Sequence, residues 1–442
     1  MTSVSTSSWG FLAAWQALVG APAEPVLVGR RGRKPRVPIT QLLAALTWHM
    51  LQPVGTLHDH LQQLFDETLA NSSWAERRQR LPWTVLADLM ARALRPRADA
   101  GAHPEAFWQG WRLVALDGTQ FSLRNTGAIT GATRKGRNQR GAAAFAKQAA
   151  AVLLELGLHN PVAAAIARDG ESEWALAQSL LAHLPPGALL LGDRLYGVTA
   201  FAQAAQAACA AVGSHFLLRA SRSVKPTVVA RLTDGSRLVQ LALRDPLQRT
   251  RIVGTLDVRE IRVQVARPGH PPHELRLWTT LLDPAEAPAL ALAQLYTRRW
   301  EHELYFREIK RTLRRTALLQ SQTVATAAQE VAAIVLASAV LAVERARAAD
   351  APDARVPVLQ VPFGQVLTIC RGLWLACGVF DDLIPEPIKA QMIDRAYALM
   401  RTTLTVPRPH RTAPRAVRQP VSRWPRLRIP RTEKGPAELT VC

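Results

Sequence analysis

A chain of 442 residues exceeds one typical hydrophobic core and points to two to four domains. Hydrophobic residues make up 48% of it, which excludes a disordered chain and leaves a globular protein. The 55 Lys and Arg against 34 Asp and Glu give a net charge of +21, a balance that favours a polyanionic partner, usually nucleic acid, because neutralised phosphates release counterions.

The segment 1–105 is expected to be helical, with apolar spacing near three and four in ITQLLAALTWHMLQ, LHDHLQQLF and WTVLADLMARAL. Its first residues, MTSVSTSSWGFLAAWQALVG, lack a cationic region before the apolar run and do not read as a secretory signal. RRGRKPR, 30–36, interrupts the helices as a basic loop or phosphate-contacting arm. His58 and His60 stand two apart, so on a helix they point to different sides, which argues against a shared metal.

From about residue 106 the pattern changes. WRLVALDGTQFSL reads as a buried strand that ends at Asp117 in a turn, Asp-Gly-Thr. QAAAVLLELGL and PVAAAIARDG follow as strands, EWALAQSLLAHL as a helix, and ALLLGDRLYG as a second buried strand ending at Asp193. Strands alternating with helices predict an α/β layer, 106–214. Residues 215–283 turn β-rich. In EIRVQVARPGHPPHELRLW, Ile261, Val263 and Val265 alternate with Arg262 and Gln264, and Leu275 and Leu277 resume the alternation, which predicts a hairpin with one solvated face.

Helices return over 284–348. The longest apolar run, VAAIVLASAVLAV at 331–343, has thirteen residues, too few to span a bilayer, so it is expected to be a core helix. Residues 349–442 form a helical region with a basic tail, in which 401–434 carries ten Lys or Arg against one acid, Glu433. Cys209, Cys370, Cys377 and Cys442 form no C-x-x-C pair, so neither a zinc site nor a disulfide framework is expected, and a reducing cytoplasm fits.

The densest chemistry lies in YTRRWEHELYFREIK, 296–310. On one uniform α-helix with Tyr296 at zero, Arg299 falls at about −60°, Glu303 at −20°, Arg307 at +20° and Lys310 at −40°, while Glu301 and Glu308 lie off that stripe at about 140° and 120°. Pairing of Arg299 with Glu303 is also a common way to support a solvated helix. Asp117 and Asp193, each read at a strand end where functional groups of α/β sheets gather, complete a set of three carboxylates. Each aspartate alone could be a turn residue. Together with Glu303 they suit hard divalent cations, and two such ions about 3.5–4 Å apart activate a nucleophile and stabilise a leaving oxygen.

These residues resemble the DDE transposases of bacterial insertion sequences, in the subgroup (insertion sequence family four) marked by Tyr, two residues, Arg, three residues, Glu, six residues, Lys. Tyr296, Arg299, Glu303 and Lys310 match at every spacing. Asp117 in LDGT and Asp193 in GDRLYG resemble the first and second catalytic aspartates, with Tyr196 at the usual aromatic position. SSWAERRQRLPWTVLADL, 72–89, is similar to the family's N-terminal region. The resemblance implies a ribonuclease H-like core interrupted by a β-rich insertion, with Asp117, Asp193 and Glu303 holding two Mg²⁺ or Mn²⁺ ions. It implies that Tyr296, Arg299 and Lys310 grip the terminal phosphates and help hold a flipped base. Trp278 is the candidate for the tryptophan that the family supplies from the insertion.

The implied activity is cut-and-paste transposition by end cleavage, a hairpin intermediate and strand transfer. The partners would be double-stranded DNA, as terminal inverted repeats and target, and a second copy of the chain in a synaptic complex, with no membrane and a cytoplasmic, nucleoid-associated location. Arg307, Arg134, Lys135 and Arg137, with Arg219, Arg222 and Lys225, are candidate backbone contacts, which position DNA without reading its sequence. Two alternatives share the residues: a metal-dependent nuclease without strand transfer, and a non-catalytic DNA-binding protein.

Overall fold

The computed structural model describes residues 10–20, 36–138, 141–245, 247–248, 250–267, 270–313, 316–350, 355–405, 416–417, 426–427 and 438–441. Arg30–Pro35 of the basic heptapeptide, most of the basic tail and Cys442 lie outside them. The chain divides into two compact units, residues 1–185 with 301–405, and residues 186–300 with 406–442.

The first unit begins with helices α1 (Phe11–Val19), α2 (Ile39–Leu51), α3 (Leu57–Phe65), α4 (Asn71–Gln79) and α5 (Trp83–Ala93). Leu42 and Ala45 of α2, Leu61 of α3 and Trp74 of α4 pack with Val37 into one cluster. The two histidines do diverge: the Nδ1 of His60 lies 2.8 Å from the Nδ1 of His49, whereas the Nδ1 of His58 is 3.0 Å from the carbonyl of Leu69. The strands β1 (Phe107–Trp108) and β2 (Trp111–Ser122), helix α6 (Gly127–Ala132) and the short pair β3 (Arg137–Asn138) and β4 (Gly141–Ala142) come next. They are followed by β5 (Lys147–Glu155), β6 (Asn160–Ile166) and α7 (Glu173–Leu180). β6, β5 and β2 form an antiparallel meander in that order.

The strand predicted to end at Asp117 continues to Ser122. Asp-Gly-Thr is not a turn: Asp117, Gly118 and Thr119 stay in the ladder opposite Val152, Ala151 and Ala150. Gly118 is needed for close approach rather than for a bend. A Cβ built there would meet the Cγ of Glu173 at 2.1 Å, so the glutamate that opens α7 lies directly against this strand.

The second unit starts with β7 (Ala188–Gly192), α8 (Thr199–Ala211) and β8 (His215–Arg219), a β–α–β crossover whose strands are parallel. The insertion follows as β9 (Thr227–Arg231), β10 (Arg237–Arg244), β11 (Ile252–Arg267) and β12 (His270–Thr279). The sheet order here is β7-β8-β12-β11-β10-β9. The hairpin of β11 and β12 has the alternation read from the sequence: Ile261, Val263 and Leu277 are buried, while Gln264 is exposed. Gly197 lets the turn after β7 lie against β8, since a Cβ there would fall 1.8 Å from the carbonyl oxygen of Arg219.

Helix α9 (Ala289–Tyr296) closes this unit. Helices α10 (Trp300–Arg307), α11 (Val324–Ala349), α12 (Phe363–Val379) and α13 (Glu386–Met400) follow. Near the C-terminus, β13 (Ala416–Val417) pairs with β14 (Arg426–Leu427), and β15 (Glu438–Val441) pairs with β11. Helix α11 has 26 residues, twice the apolar run, and an 18-residue window of mean hydropathy 1.8 that is 89% buried within the protein. It is the core helix expected. Against one face of the first unit's sheet lies α7, and α11 packs on β5 and β6. Arg78 fastens α4 to α11, donating to Gln329, Ser321 and the carbonyl of Thr326. Cys209, Cys370 and Cys377 are free and buried, and burial pushes the Cys209 thiol up to about 12.

Candidate active site

The signature segment is not one uniform α-helix. Helix α9 ends at Tyr296, residues Thr297–Arg299 form a 3₁₀ turn, α10 spans Trp300–Arg307, and Glu308–Leu313 is a π-helical turn. The stripe drawn at a constant 100° therefore holds only in parts. A 3₁₀ turn has three residues per turn, so Tyr296 and Arg299 are eclipsed rather than offset. The widened turn comes where Glu308 is drawn to His159 and Arg345 while Lys310 reaches Phe121.

In the first unit, Asp117 is half-buried in mid-strand, and its Oδ1 accepts the N–H of Gly118 at 2.8 Å. Side chains alternate along a strand, so Asp117, Thr119 and Phe121 share one face of β2. The Nζ of Lys310 lies 5.4 Å from the centre of the Phe121 ring and 6.0 Å from that of Phe306, a cation–π seat. Lys310 is thus held on the face of β2 that bears Asp117. Glu303 is half-buried on α10 and Arg307 is exposed.

The two off-stripe glutamates have other work. The Oε2 of Glu301 accepts the N–H of Gly157 at 2.8 Å in the turn between β5 and β6. Gly157 is obligatory there: its φ is +84°, and a Cβ would meet the backbone of Ala106 at 3.0 Å. Glu308 pairs with His159 at 2.7 Å and with Arg345 at 3.2 Å. Burial pushes the Glu308 carboxyl up, but His159 and Arg345 outweigh it and hold it below the ordinary carboxylate range.

An acid held low in the folded state stabilises above its unfolded value, near 4.3, and loses that contribution as pH falls through the folded value. The protein should therefore lose stability steeply below about pH 4. Glu308→Gln should melt lower than wild type at pH 7, with the two curves converging in acid. Melting temperatures between pH 3 and 7 check this, and parallel curves would remove Glu308 as the source.

In the second unit, Asp193 follows β7, and its Oδ1 accepts the N–H of Leu195 at 2.6 Å, a local turn that orients the carboxylate. The Tyr296 hydroxyl donates to the carbonyl of Gly192 at 3.2 Å, immediately before Asp193. Tyr296 is 7% exposed, so in this form of the chain it clasps the strand end. Trp278 is fully buried on β12, with its indole N–H 3.4 Å from Glu260. Trp300, by contrast, is 52% exposed beside Arg299 and offers an aromatic face of the kind on which bases stack. Arg134 and Lys135 are exposed, and the side chain of Arg137 lies outside the described residues.

Among the described residues, no group of three or more His, Cys, Asp or Glu side chains is gathered at ligand range. Asp117 and Glu303 belong to the first unit and Asp193 to the second. The donor set itself fits a hard divalent cation: three half-buried carboxylates, two of them oriented by backbone N–H groups, with no sulfur or imidazole. Sequence reasoning missed His302 and Glu173, which both bear on β2 or its partner strand. Their spacing carries no signal, because each acts through a contact far away in the chain.

Carboxylates suited to a divalent cation and cations suited to phosphate are the residue types that one class of protein requires, the metal-dependent enzymes of DNA phosphoryl transfer. Residues 108–339, more than half of the chain, match the Transposase DDE domain, and the chain belongs to that family of DDE transposases. It is 26% identical over 404 residues, 89% of this chain and 88% of the relative, to the transposase InsG for insertion sequence element IS4 of Escherichia coli (strain K12). It is also similar to the piggyBac transposase in a cryo-EM synaptic complex with hairpin DNA. That likeness has a TM-score of 0.43 and 8% identity, and covers 88% of this chain and 85% of that one. The protein is a DDE transposase, an enzyme of DNA transposition.

Proposed function

We propose that this transposase excises its insertion sequence by cut-and-paste chemistry, with end cleavage, a hairpin intermediate and strand transfer. Asp117, Asp193 and Glu303 would hold two Mg²⁺ or Mn²⁺ ions. The observation that supports this reading is the seat of Lys310 on Phe121, on the strand face that bears Asp117. Bound divalent ions would supply the nucleophile's activation and neutralise charge on the leaving oxygen.

The protein's own share is positioning and charge, which is most of what in-line phosphoryl transfer requires. Arg299, Arg307 and Lys310 grip the terminal phosphates, and Arg134, Lys135 and Arg137 extend that contact along the backbone. Tyr296 and Trp278 join the handling of a flipped base once DNA binding draws them from their buried places. Residues 1–105 form the end-recognition region, 215–283 the insertion, 284–348 the second part of the core after 106–214, and 349–442 the C-terminal region. Two copies work together in the synaptic complex, in the cytoplasm on nucleoid DNA.

The test is a reaction on labelled DNA carrying the element's own ends, with Mg²⁺ or Mn²⁺. Metal-dependent nicking, a hairpin product and joining of the 3′ end to target DNA are expected. Cleavage without joining would make the chain a nuclease, and metal-independent binding without cleavage would make it a DNA-binding protein only.

A further inference from the structure

The residue before Glu303 is a histidine with no exposure at all. The Nε2 of His302 lies 2.9 Å from the carbonyl oxygen of Val152 on β5. A carbonyl can only accept, so Nε2 carries the proton and donates it. Val152 is the residue paired with Asp117 across the β2–β5 ladder. The imidazole therefore ties the helix that bears Glu303 to the strand position directly opposite Asp117. Its ring is held from the helix side by Phe306, with centroids 4.5 Å apart, and by Tyr305, at 6.0 Å and 88°. Tyr305 is anchored in turn, its hydroxyl 3.0 Å from that of Ser338 on α11.

Contacts on either side of His302 reach the same strand and its turn: Glu301 to the N–H of Gly157, and Glu308 to His159. Those two bonds fix the helix at the turn, and His302 is the contact at the level of Asp117. A buried donor aimed at a strand carbonyl is directional, whereas an apolar residue in its place would leave the helix with no directional contact at the level of Asp117. Errors of about an ångström in such positioning can cost 10²-fold in rate.

We propose that His302 is a positioning residue that sets the spacing of Glu303 from Asp117 for divalent-ion binding. This rests on the reading of those two carboxylates as ligands. Two variants of matched length separate position from mere packing: His302→Gln keeps an N–H donor, and His302→Met lacks one. Each is compared with wild type and Glu303→Gln by calorimetric Mn²⁺ binding, by thermal melting and by cleavage of labelled ends.

For His302→Met, the Mn²⁺ dissociation constant should rise about tenfold and cleavage should fall about 10²-fold. His302→Gln should lie within about threefold of wild type in Mn²⁺ binding, as expected if the donor is what matters. If both variants melt lower but bind Mn²⁺ as wild type does, His302 is only a packing residue and the inference fails. Equal losses in the two variants would also overturn it, because the donor would then be irrelevant. If wild type binds no Mn²⁺, or Glu303→Gln binds it unchanged, the carboxylate assignment itself is wrong and the inference falls with it.

Discussion

Replacing Glu303 by Gln should lower cleavage of the element ends by at least about 10³-fold if Glu303 holds a divalent ion as proposed, because losing such a ligand removes several kcal/mol of transition-state stabilisation. DNA affinity should stay near wild type, since the cations proposed to meet phosphate are untouched. Glu301→Gln is the control on the same helix. Glu301 accepts the N–H of Gly157 through Oε2, and the amide oxygen of Gln can still accept it. That variant should melt close to wild type and cleave within a few-fold of it. Cleavage gels with Mg²⁺ and Mn²⁺, beside a DNA-binding titration, decide the matter. Wild-type cleavage by Glu303→Gln would remove Glu303 from the reaction and make the signature a structural feature of the helix.

Arg259→Met should be the most destabilising single change in the β insertion, costing about 3–5 kcal/mol, the usual result of breaking a buried, fully bonded ion pair. Arg259 has no exposure. Its guanidinium pairs with Asp234, donates to Ser236 at 2.8 Å and to the carbonyl of Ala287 at 2.6 Å, and also reaches the carbonyls of Leu281 and Asp283. Asp234 accepts the N–H of Ala289 at 2.8 Å at the start of α9. This one side chain therefore gathers the β9–β10 turn, β11 and the lead into the helix that ends at Tyr296. Hydrogen exchange over 234–296, read with thermal melting, should show this region opening first in the variant. An unchanged melt with unchanged exchange would mean that the network is replaceable by packing.

The sequence was sufficient for the order of the main helices and strands and for the class of chemistry. Period-two alternation at Ile261, Val263 and Val265 specified a half-solvated hairpin, because side chains on a strand alternate and only one face was apolar. The run 331–343 declared a core helix by being apolar on all sides. The four-residue signature and the two aspartates pointed to DDE transposase chemistry, since residue types and spacings are themselves the family's pattern.

What lay beyond the sequence are the contacts between distant residues. Whether Asp-Gly-Thr bends or runs on as strand was decided by β5, whose Val152, Ala151 and Ala150 pair with these three residues. The helical stripe was interrupted by a 3₁₀ turn at Thr297–Arg299 and by a π turn that begins where Glu308 pairs with His159 and Arg345. Tyr296 was readable as a phosphate ligand, but its bond to Gly192 came only with the fold. His302 looked like one more polar residue until the ladder set Val152 opposite Asp117. Local spacing encodes which face a residue takes. Which partner waits on that face depends on strand register and on segments more than a hundred residues away, and that information exists only once the tertiary structure has formed.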